Sequence, residues 1–172
     1  MSSKEELLKR MSDGVVDMEE DDVAEAAQEF IDAGYPALEG IMDGLIDKKT
    51  AGIGGVEGDT HDIGKNLVKI MMETAGFEMV DLGRDVPLQK FVDTAKETRA
   101  DLVCLSTLMT TTMSGMKTVI DLLKEAGIRD EVKVMIGGGP VSKNFADKIG
   151  ADGYSQNAVE AVRLAKSLLN IA

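Results

Sequence analysis

A doubly wound α/β domain, a parallel sheet with helices on both faces, is the fold this sequence predicts for most of its length. Two observations predict it. From residue 51 onward, short apolar runs alternate with segments of helical period, the pattern of strands buried on both faces and joined by crossover helices. The unusual stretches "EGDTHDIG", "STLMTTT" and "GGGP" follow the ends of the first, third and fourth runs, where open α/β sheets gather their ligands. No internal repeat or low-complexity tract competes with this reading.

Taken in order, residues 1–50 form a helical region and residues 51–172 the α/β domain, with "KKTAG" barely a linker between them. Ser3 to Glu6, "SKEE", matches a capping box, followed by Leu7, Leu8 and Met11 at helical spacing. A second helix runs through "DDVAEAAQEFIDAG" and stops at Gly34, and Pro36 opens a third, "PALEGIMDGLIDKK". Three short amphipathic helices bury little by themselves and must pack on something else. Strands are then expected near 52–57, 78–82, 101–106, 132–136 and 152–155, and helices near 62–75, 87–98, 112–126, 141–149 and 157–170. Ile63, Leu67, Ile70 and Met71 supply the apolar stripe of the first of these helices. Five such units take the flavodoxin-like strand order 2-1-3-4-5, with the ligand crevice at the switch point between strands one and three. The three unusual stretches then converge on one crevice.

The totals exclude several functions. With 172 residues, 44% of them hydrophobic, the chain can build a real core, yet no segment approaches a membrane span. The N-terminus lacks an apolar signal core and Cys104 is alone, so a reducing, cytoplasmic compartment is expected, with neither a disulfide nor a Cys-rich zinc site. A formal charge of -12, from 31 acidic and 19 basic residues, repels nucleic acid and anionic lipid. Eleven Met read as ordinary core filling.

His61 is the only histidine, set between Asp59 and Asp62 in "GGVEGDTHDIGKN". A phosphate loop fits poorly: Gly58 to Gly64 encloses five residues where that motif needs four, and Asn66 replaces the magnesium-binding hydroxyl. A simple helix cap by Asp62 or Thr60 leaves the hydroxylic residues across the crevice unexplained. An acid–base His61 oriented by Asp59 is chemically sensible, but no Ser or Cys nucleophile stands beside it. A zinc site lacks ligands. The remaining reading is an axial ligand to a macrocycle that brings most of its own coordination, with Asp59 accepting the other ring N–H.

"DTHDIG" (Asp59, His61, Gly64), "STL" (Ser106, Leu108) and "GG" (Gly137, Gly138) together resemble the cobalamin-binding signature D-x-H-x-x-G, S-x-L, G-G. In this chain 41 residues separate Gly64 from Ser106 and 28 separate Leu108 from Gly137. The resemblance covers residues 51–170 and is closest to the corrinoid proteins of methanol, methylamine and aryl-methyl-ether methyltransferase systems, with similarity to the cobalamin module of methionine synthase. It implies base-off, His-on cobalamin as cofactor, cycling between methylcobalamin and cob(I)alamin. His61 would ligate cobalt, Asp59 would accept its second N–H, and Thr112 would supply the hydroxyl bonded to that Asp. Thr60, Asp62, Ile63 and Gly64 accompany the histidine. Ser106, Leu108 and Thr110 would line the pocket of the nucleotide tail. Gly137, Gly138 and Gly139 would let the benzimidazole pass close to the backbone, and Gly153, Tyr154 and Ser155 would add contacts.

The same resemblance implies a methyl shuttle. A substrate-specific methyltransferase loads it from methoxylated aromatics, methylamines or methanol, and an acceptor-specific methyltransferase unloads it to tetrahydrofolate or a thiol. A reductive activator restores cob(II)alamin to service. The chain departs from the family in its helical region, which lacks most of the cap's second half. A second copy of the chain or the partner methyltransferase is therefore expected over the cobalt. A cobalamin-dependent sensor is the alternative, although no DNA-binding or signalling module is evident.

Overall fold

The computed structural model describes residues 2–41 and 49–171. By its internal contacts the chain divides into two compact units, Met1–Lys48 and Lys49–Ala172.

In the first unit, helix α1 (Lys4–Asp17) begins with the capping box: the Ser3 side chain accepts from the Glu6 backbone, and the Glu6 carboxylate accepts from the Ser3 backbone. Helix α2 (Glu20–Asp32) packs on it through Leu7, Met11, Ala26 and Phe30, with the Tyr35 ring tilted at 45° to that of Phe30 and 4.9 Å from it. Arg10 ties the pair by bonding Asp22 at 2.6 Å and Glu29 at 3.1 Å. Gly34, at φ +82°, ends the second helix as its sequence position suggests. Helix α3 spans Ala37–Gly40 behind Pro36; the rest of the third predicted helix, residues 42–48, lies outside the described residues.

The second unit carries strands β1 (Thr50–Val56), β2 (Glu78–Val86), β3 (Leu102–Ser106), β4 (Lys133–Gly137) and β5 (Gly153–Ser155), all parallel, in the order 2-1-3-4-5. Helices α4 (Ile63–Thr74), α5 (Leu88–Thr98), α6 (Met113–Glu125), α7 (Lys143–Ile149) and α8 (Ala158–Leu168) connect and close it. Alternation along the strands sends side chains to opposite faces. Val103, Leu105, Val134 and Ile136 meet Phe91 of α5 and Met116, Val119 and Ile120 of α6. Ala51, Ile53, Leu102, Cys104 and Met135 meet Met72 of α4 and Ala161 and Ala165 of α8. Full burial of each Leu or Ile here contributes about 1.5–3 kcal/mol. Among the described residues no helix is long and apolar enough to cross a membrane.

Two expectations need correction. Strand β2 runs four residues past its predicted end, because Gly83 at φ +92° and shifted register against Ile53, Gly54 and Val56 carry it through a polar stretch. Helix α4 does not bury the stripe its sequence offers. Ile63, Leu67 and Ile70 are 85%, 54% and 58% exposed, whereas Lys65 and Met72 are buried and Val68 packs on the core.

Register places a row of small residues at the carboxyl edge: Gly55, Ser106, Gly137 and Ser155 are successive partners across β1, β3, β4 and β5. One residue back, Gly54 faces the opposite side, where an added Cβ would lie 2.8 Å from the Phe91 ring. Gly54→Ala should therefore destabilise the domain by about 1–3 kcal/mol through overpacking. Adding Phe91→Leu should recover part of that loss, as read by urea-unfolding midpoints of the single and double variants.

Candidate functional site

The histidine loop leaves β1 at Val56 and is fastened before it reaches α4. Asp59 N–H donates back to the Val56 carbonyl at 3.0 Å, and Gly58 takes the left-handed conformation, φ +87°, that the turn requires. The end of β2 clasps the loop from the side. Gly58 N–H donates to the Asp85 carboxylate at 2.7 Å, and Asp85 N–H donates to the Asp59 carbonyl at 2.8 Å. Asp85 is itself at φ +51°, a conformation Asp tolerates better than most residues.

Held this way, the Asp59 side chain is fully buried. One oxygen, Oδ1, accepts from the His61 backbone at 2.9 Å and from His61 Nδ1 at 2.7 Å. The other, Oδ2, accepts from Thr107 Oγ1 at 2.6 Å and from the Leu108 backbone. Burial pushes the Asp59 carboxyl up, but the bonds from Thr107, His61 and Leu108 overrule it and hold the group well below the usual carboxylate range. An ionised carboxylate can only accept, so His61 carries its proton on Nδ1 and turns the Nε2 lone pair outward. The imidazole is 53% exposed. Asp62 occupies the N-cap position of α4, but its side chain makes no capping bond; the plain-cap reading fails there.

Beside the imidazole a cavity of about 490 Å³ opens between α4 and α8. Its floor is the sheet: Ser106, Gly137 and Ser155 at the edge, then Ile53, Cys104 and Met135 one side-chain row deeper. Burial pushes the Cys104 thiol up to about 12, so it is an apolar floor residue and no nucleophile.

The structure brings His61, Gly64, Ser106, Leu108, Gly137, Gly138, Gly139, Tyr154 and Ser155 together around this cavity. Asp59 bonds His61 from outside the cavity, and Thr60, Asp62 and Ile63, its neighbours in the chain, do not line it. Thr110 opens the single 3-10 turn that precedes α6. Gly153 opens β5, and a Cβ there would strike Leu164 at 2.8 Å. Thr112 is displaced from its expected place. Its hydroxyl reaches Thr107 Oγ1 at 2.6 Å and the Met109 carbonyl at 3.0 Å, and Thr107 is the hydroxyl that touches Asp59. Sequence reasoning passed over Thr107 because S-x-L leaves its middle position unspecified. It also passed over Leu67, Val68, Gln156, Asn157 and Ala158, which line the walls.

The glycines divide into two kinds. A Cβ on Gly64 would meet no protein atom within 4 Å, so its smallness leaves room in the cavity. A Cβ on Gly138, at φ +132°, would fall 1.7 Å from the Thr107 carbonyl oxygen. That glycine is demanded by the protein's own backbone, where the sequence suggested a passing ligand.

A cavity of about 490 Å³ with an apolar floor, beside one exposed imidazole, has room for part of a large cofactor such as the tail of a metal-bearing macrocycle. The arrangement defines a ligand-binding α/β domain whose cavity lies at the carboxyl ends of the strands. The B12 binding domain family matches residues 49–163. Dimethylamine corrinoid protein 2 of Methanosarcina acetivorans is 43% identical over 98% of this chain and 99% of its own length. That alignment runs over 213 positions against a chain of 172, so the relative carries residues this chain lacks. Among solved structures, the Methanosarcina barkeri monomethylamine corrinoid protein superposes with a TM-score of 0.67 at 31% identity, covering 96% of this chain and 100% of that one. A chain of the methanol:cobalamin methyltransferase complex from Methanosarcina barkeri gives 0.67 at 27%, covering 98% and 81%. This chain belongs to the B12 binding domain family and, within it, to the corrinoid proteins. Its cofactor is cobalamin, with cobalt at the centre of the ring.

Two outcomes follow for the protein without cofactor. Gly138→Ala cannot be relieved by a side-chain rotation and should cost about 3 kcal/mol or more, read as a lowered thermal midpoint. Asp59 has a folded pKa below its unfolded one, so its stabilisation is complete above the ordinary carboxylate range and is lost as pH falls through the folded value. The gap in urea midpoint between wild type and Asp59→Asn should accordingly be widest near neutral pH and narrow below about pH 4.

Proposed function

We propose that this protein is a methyl carrier of a methylamine methyltransferase system, and that His61 is the lower axial ligand of a cobalamin bound with its own base displaced. The observation that carries the reading is the state of His61: Nδ1 is held 2.7 Å from a buried carboxylate while Nε2 faces outward. Asp59 fixes the ring and raises its basicity as a ligand. Gly64, Ser106, Leu108, Gly137, Gly139, Tyr154 and Ser155 would receive the nucleotide tail, and Thr60, Asp62 and Ile63, next to His61 in the chain, would add contacts to the cofactor. Thr110 and Thr112, in the 3-10 turn before α6, and Gly153, at the start of β5, would support these contacts.

Bound cobalamin would supply a cobalt that takes up a methyl group and gives it away. The protein's part is to grip and release. When Nε2 lets go, it can take up a proton beside the Asp59 carboxylate, which links transfer to proton uptake at that atom. Dimethylamine is the methyl source we favour, because a relative matching nearly the whole chain is named a dimethylamine corrinoid protein. Two methyltransferases serve such a carrier, one loading it and one passing the methyl to a folate or thiol, and a reductive activator rescues oxidised cofactor. The methyltransferase complex among the structural neighbours supports docking of this kind. Methoxylated aromatics and the sensor reading gain no support from these relatives. With its short helical unit, the chain would rely on a second copy or on the methyltransferase to shield the cobalt. The buried, solitary Cys104 suits the cytoplasm.

The lone histidine makes the test direct. Protein grown with 15N-histidine, loaded with cobalamin and reduced to cobalt(II), should show superhyperfine doublets from one 15N axial ligand in its EPR spectrum. Triplets from 14N would leave the benzimidazole on cobalt and overturn the reading. Asp59→Asn should weaken His61 ligation by about 10–100-fold, measured as the proportion of protein-ligated cobalt across a cobalamin titration.

A further inference from the structure

The end of β2 departs from a regular strand twice between Asp81 and Val86. Against β1, the single step from Ile53 to Gly54 is matched by two on β2, from Asp81 to Gly83. The two steps from Gly54 to Val56 are then matched by three, from Gly83 to Val86. Each extra residue is a bulge, and a bulge bends its strand and re-aims the side chains beside it. Gly83 and Asp85 in this stretch also take left-handed conformations, at φ +92° and +51°. A non-glycine residue held there next to a candidate site is strain with a purpose to be found. Core packing does not supply one, because Asp85 is exposed.

What the bulges produce is a clamp. They lay the Arg84 backbone over Gly55, where a Cβ would lie 3.4 Å from the Arg84 Cα, and they bring Asp85 beside the turn that leaves β1. Asp85 then bonds that turn twice. Its carboxylate accepts from Gly58 N–H at 2.7 Å, and its own N–H donates to the Asp59 carbonyl at 2.8 Å. The two bonds straddle residues 58 and 59, so a backbone rotation between them strains both. Asp59 N–H, bonded to the Val56 carbonyl, closes the turn from the strand side. His61 lies two residues on and hangs from the Asp59 side chain by its backbone and its ring. Arg84, the next residue along, has no such hold. It is 61% exposed and reaches the Thr60 carbonyl at 3.4 Å and the Asp62 carboxylate at 4.0 Å, too far and too wet to fix a loop.

We propose that Asp85 is a positioning residue whose clamp holds the histidine loop in its ligating shape in the empty protein, so that cofactor binding does not have to order the loop. The inference rests on the reading of His61 given above. The clamp asks two things of residue 85: a side-chain acceptor for Gly58 N–H and a backbone at ease in the left-handed region. It does not ask for charge. Asparagine meets both demands, and glycine meets the second alone.

Three variants of the full chain separate these demands. Asp85→Asn keeps acceptor and backbone, Asp85→Gly loses only the acceptor, and Arg84→Ala removes the neighbouring side chain. Without cofactor, hydrogen exchange at the Gly58 amide, read by 15N NMR, should be about tenfold faster in Asp85→Gly than in wild type. It should be unchanged in Asp85→Asn and Arg84→Ala. With 15N-histidine and cobalt(II) cobalamin, an EPR titration that counts 15N doublets gives the affinity of the His-ligated form. That affinity should weaken about three- to tenfold in Asp85→Gly and hold at the wild-type value in Asp85→Asn, while the urea midpoint moves little in either. If Asp85→Gly does not fold, Asp85→Ala, which also lacks the acceptor, takes its place. A folded chain without the acceptor but with wild-type affinity would overturn the proposal, whatever its Gly58 exchange. An Asp85→Asn variant as impaired as Asp85→Gly, or an Arg84→Ala variant equal to it, would do the same. Triplets from 14N in the wild type would overturn the reading of His61 itself, an outcome that the exchange rates of the empty protein keep distinct from failure of the clamp.

Discussion

Taking an ionised carboxylate out of water costs several kcal/mol after relaxation, and Asp59 is completely buried. Four donors reach it. Hydrogen bonds to a charged group contribute about 1.5–3 kcal/mol each, so together they offset the penalty, while two would leave it barely balanced. That requirement organises the carboxyl edge of the sheet. The four donors come from the β1–α4 loop and the β3–α6 loop, so both loops must stop at fixed places for the charge to persist. The Asp85 clasp fixes the first loop and the Gly137–Gly138 approach fixes the second. The orientation of one exposed imidazole is thus a property of four strand ends, those of β1, β2, β3 and β4.

The topology supplies the rest without special chemistry. In a 2-1-3-4-5 sheet, β1 and β3 are neighbours although their helices lie on opposite faces, so the loops after them diverge and leave a gap. Small residues in one register row, Gly55, Ser106, Gly137 and Ser155, keep the gap from filling with side chains. Apolar residues one row deeper make its floor. The cavity therefore offers hydroxyls and backbone at its rim and an apolar floor of Ile53, Cys104 and Met135.

Strand order, and most element boundaries to within two residues, were legible in the sequence, because buried parallel strands and amphipathic helices leave periodic marks. The residues that touch the cavity at strand ends were legible through the resemblance of Asp59-x-His61-x-x-Gly64, Ser106-x-Leu108 and Gly137-Gly138 to a known signature, and through the convergence of three unusual stretches on one crevice. Thr107 was not legible: a Thr after a strand looks the same whether its hydroxyl faces water or a carboxylate. Thr112 was misplaced by one hydrogen bond for the same reason, the spacing being right and the intervening residue unseen. The reason for Gly138 was also hidden, because a backbone collision between two loops leaves no periodic trace.

Helix α4 shows where patterning misleads and why. Its apolar residues at positions 63, 67 and 70 suggest a core face, yet the face turned inward carries Lys65, Val68 and Met72. Lysine can occupy that face because its ammonium bonds Asp81 and the Asn66 side chain, each at 2.7 Å. Asp81 is in turn held by the Gly83 backbone at 2.9 Å, and burial of its carboxyl is outweighed by these bonds, Lys65 foremost, so its pKa falls. A buried ion pair adds little net stability against an apolar pair of the same size. What it adds is register: it ties the first turn of α4 to β2, whose far end clasps the histidine loop. The Gly-Lys pair that suggested a phosphate loop thus spends its charge on Asp81. With the lysine turned inward, Leu67 is left to form part of the cavity wall, whereas a helix that served only the core would turn Ile63, Leu67 and Ile70 to the sheet.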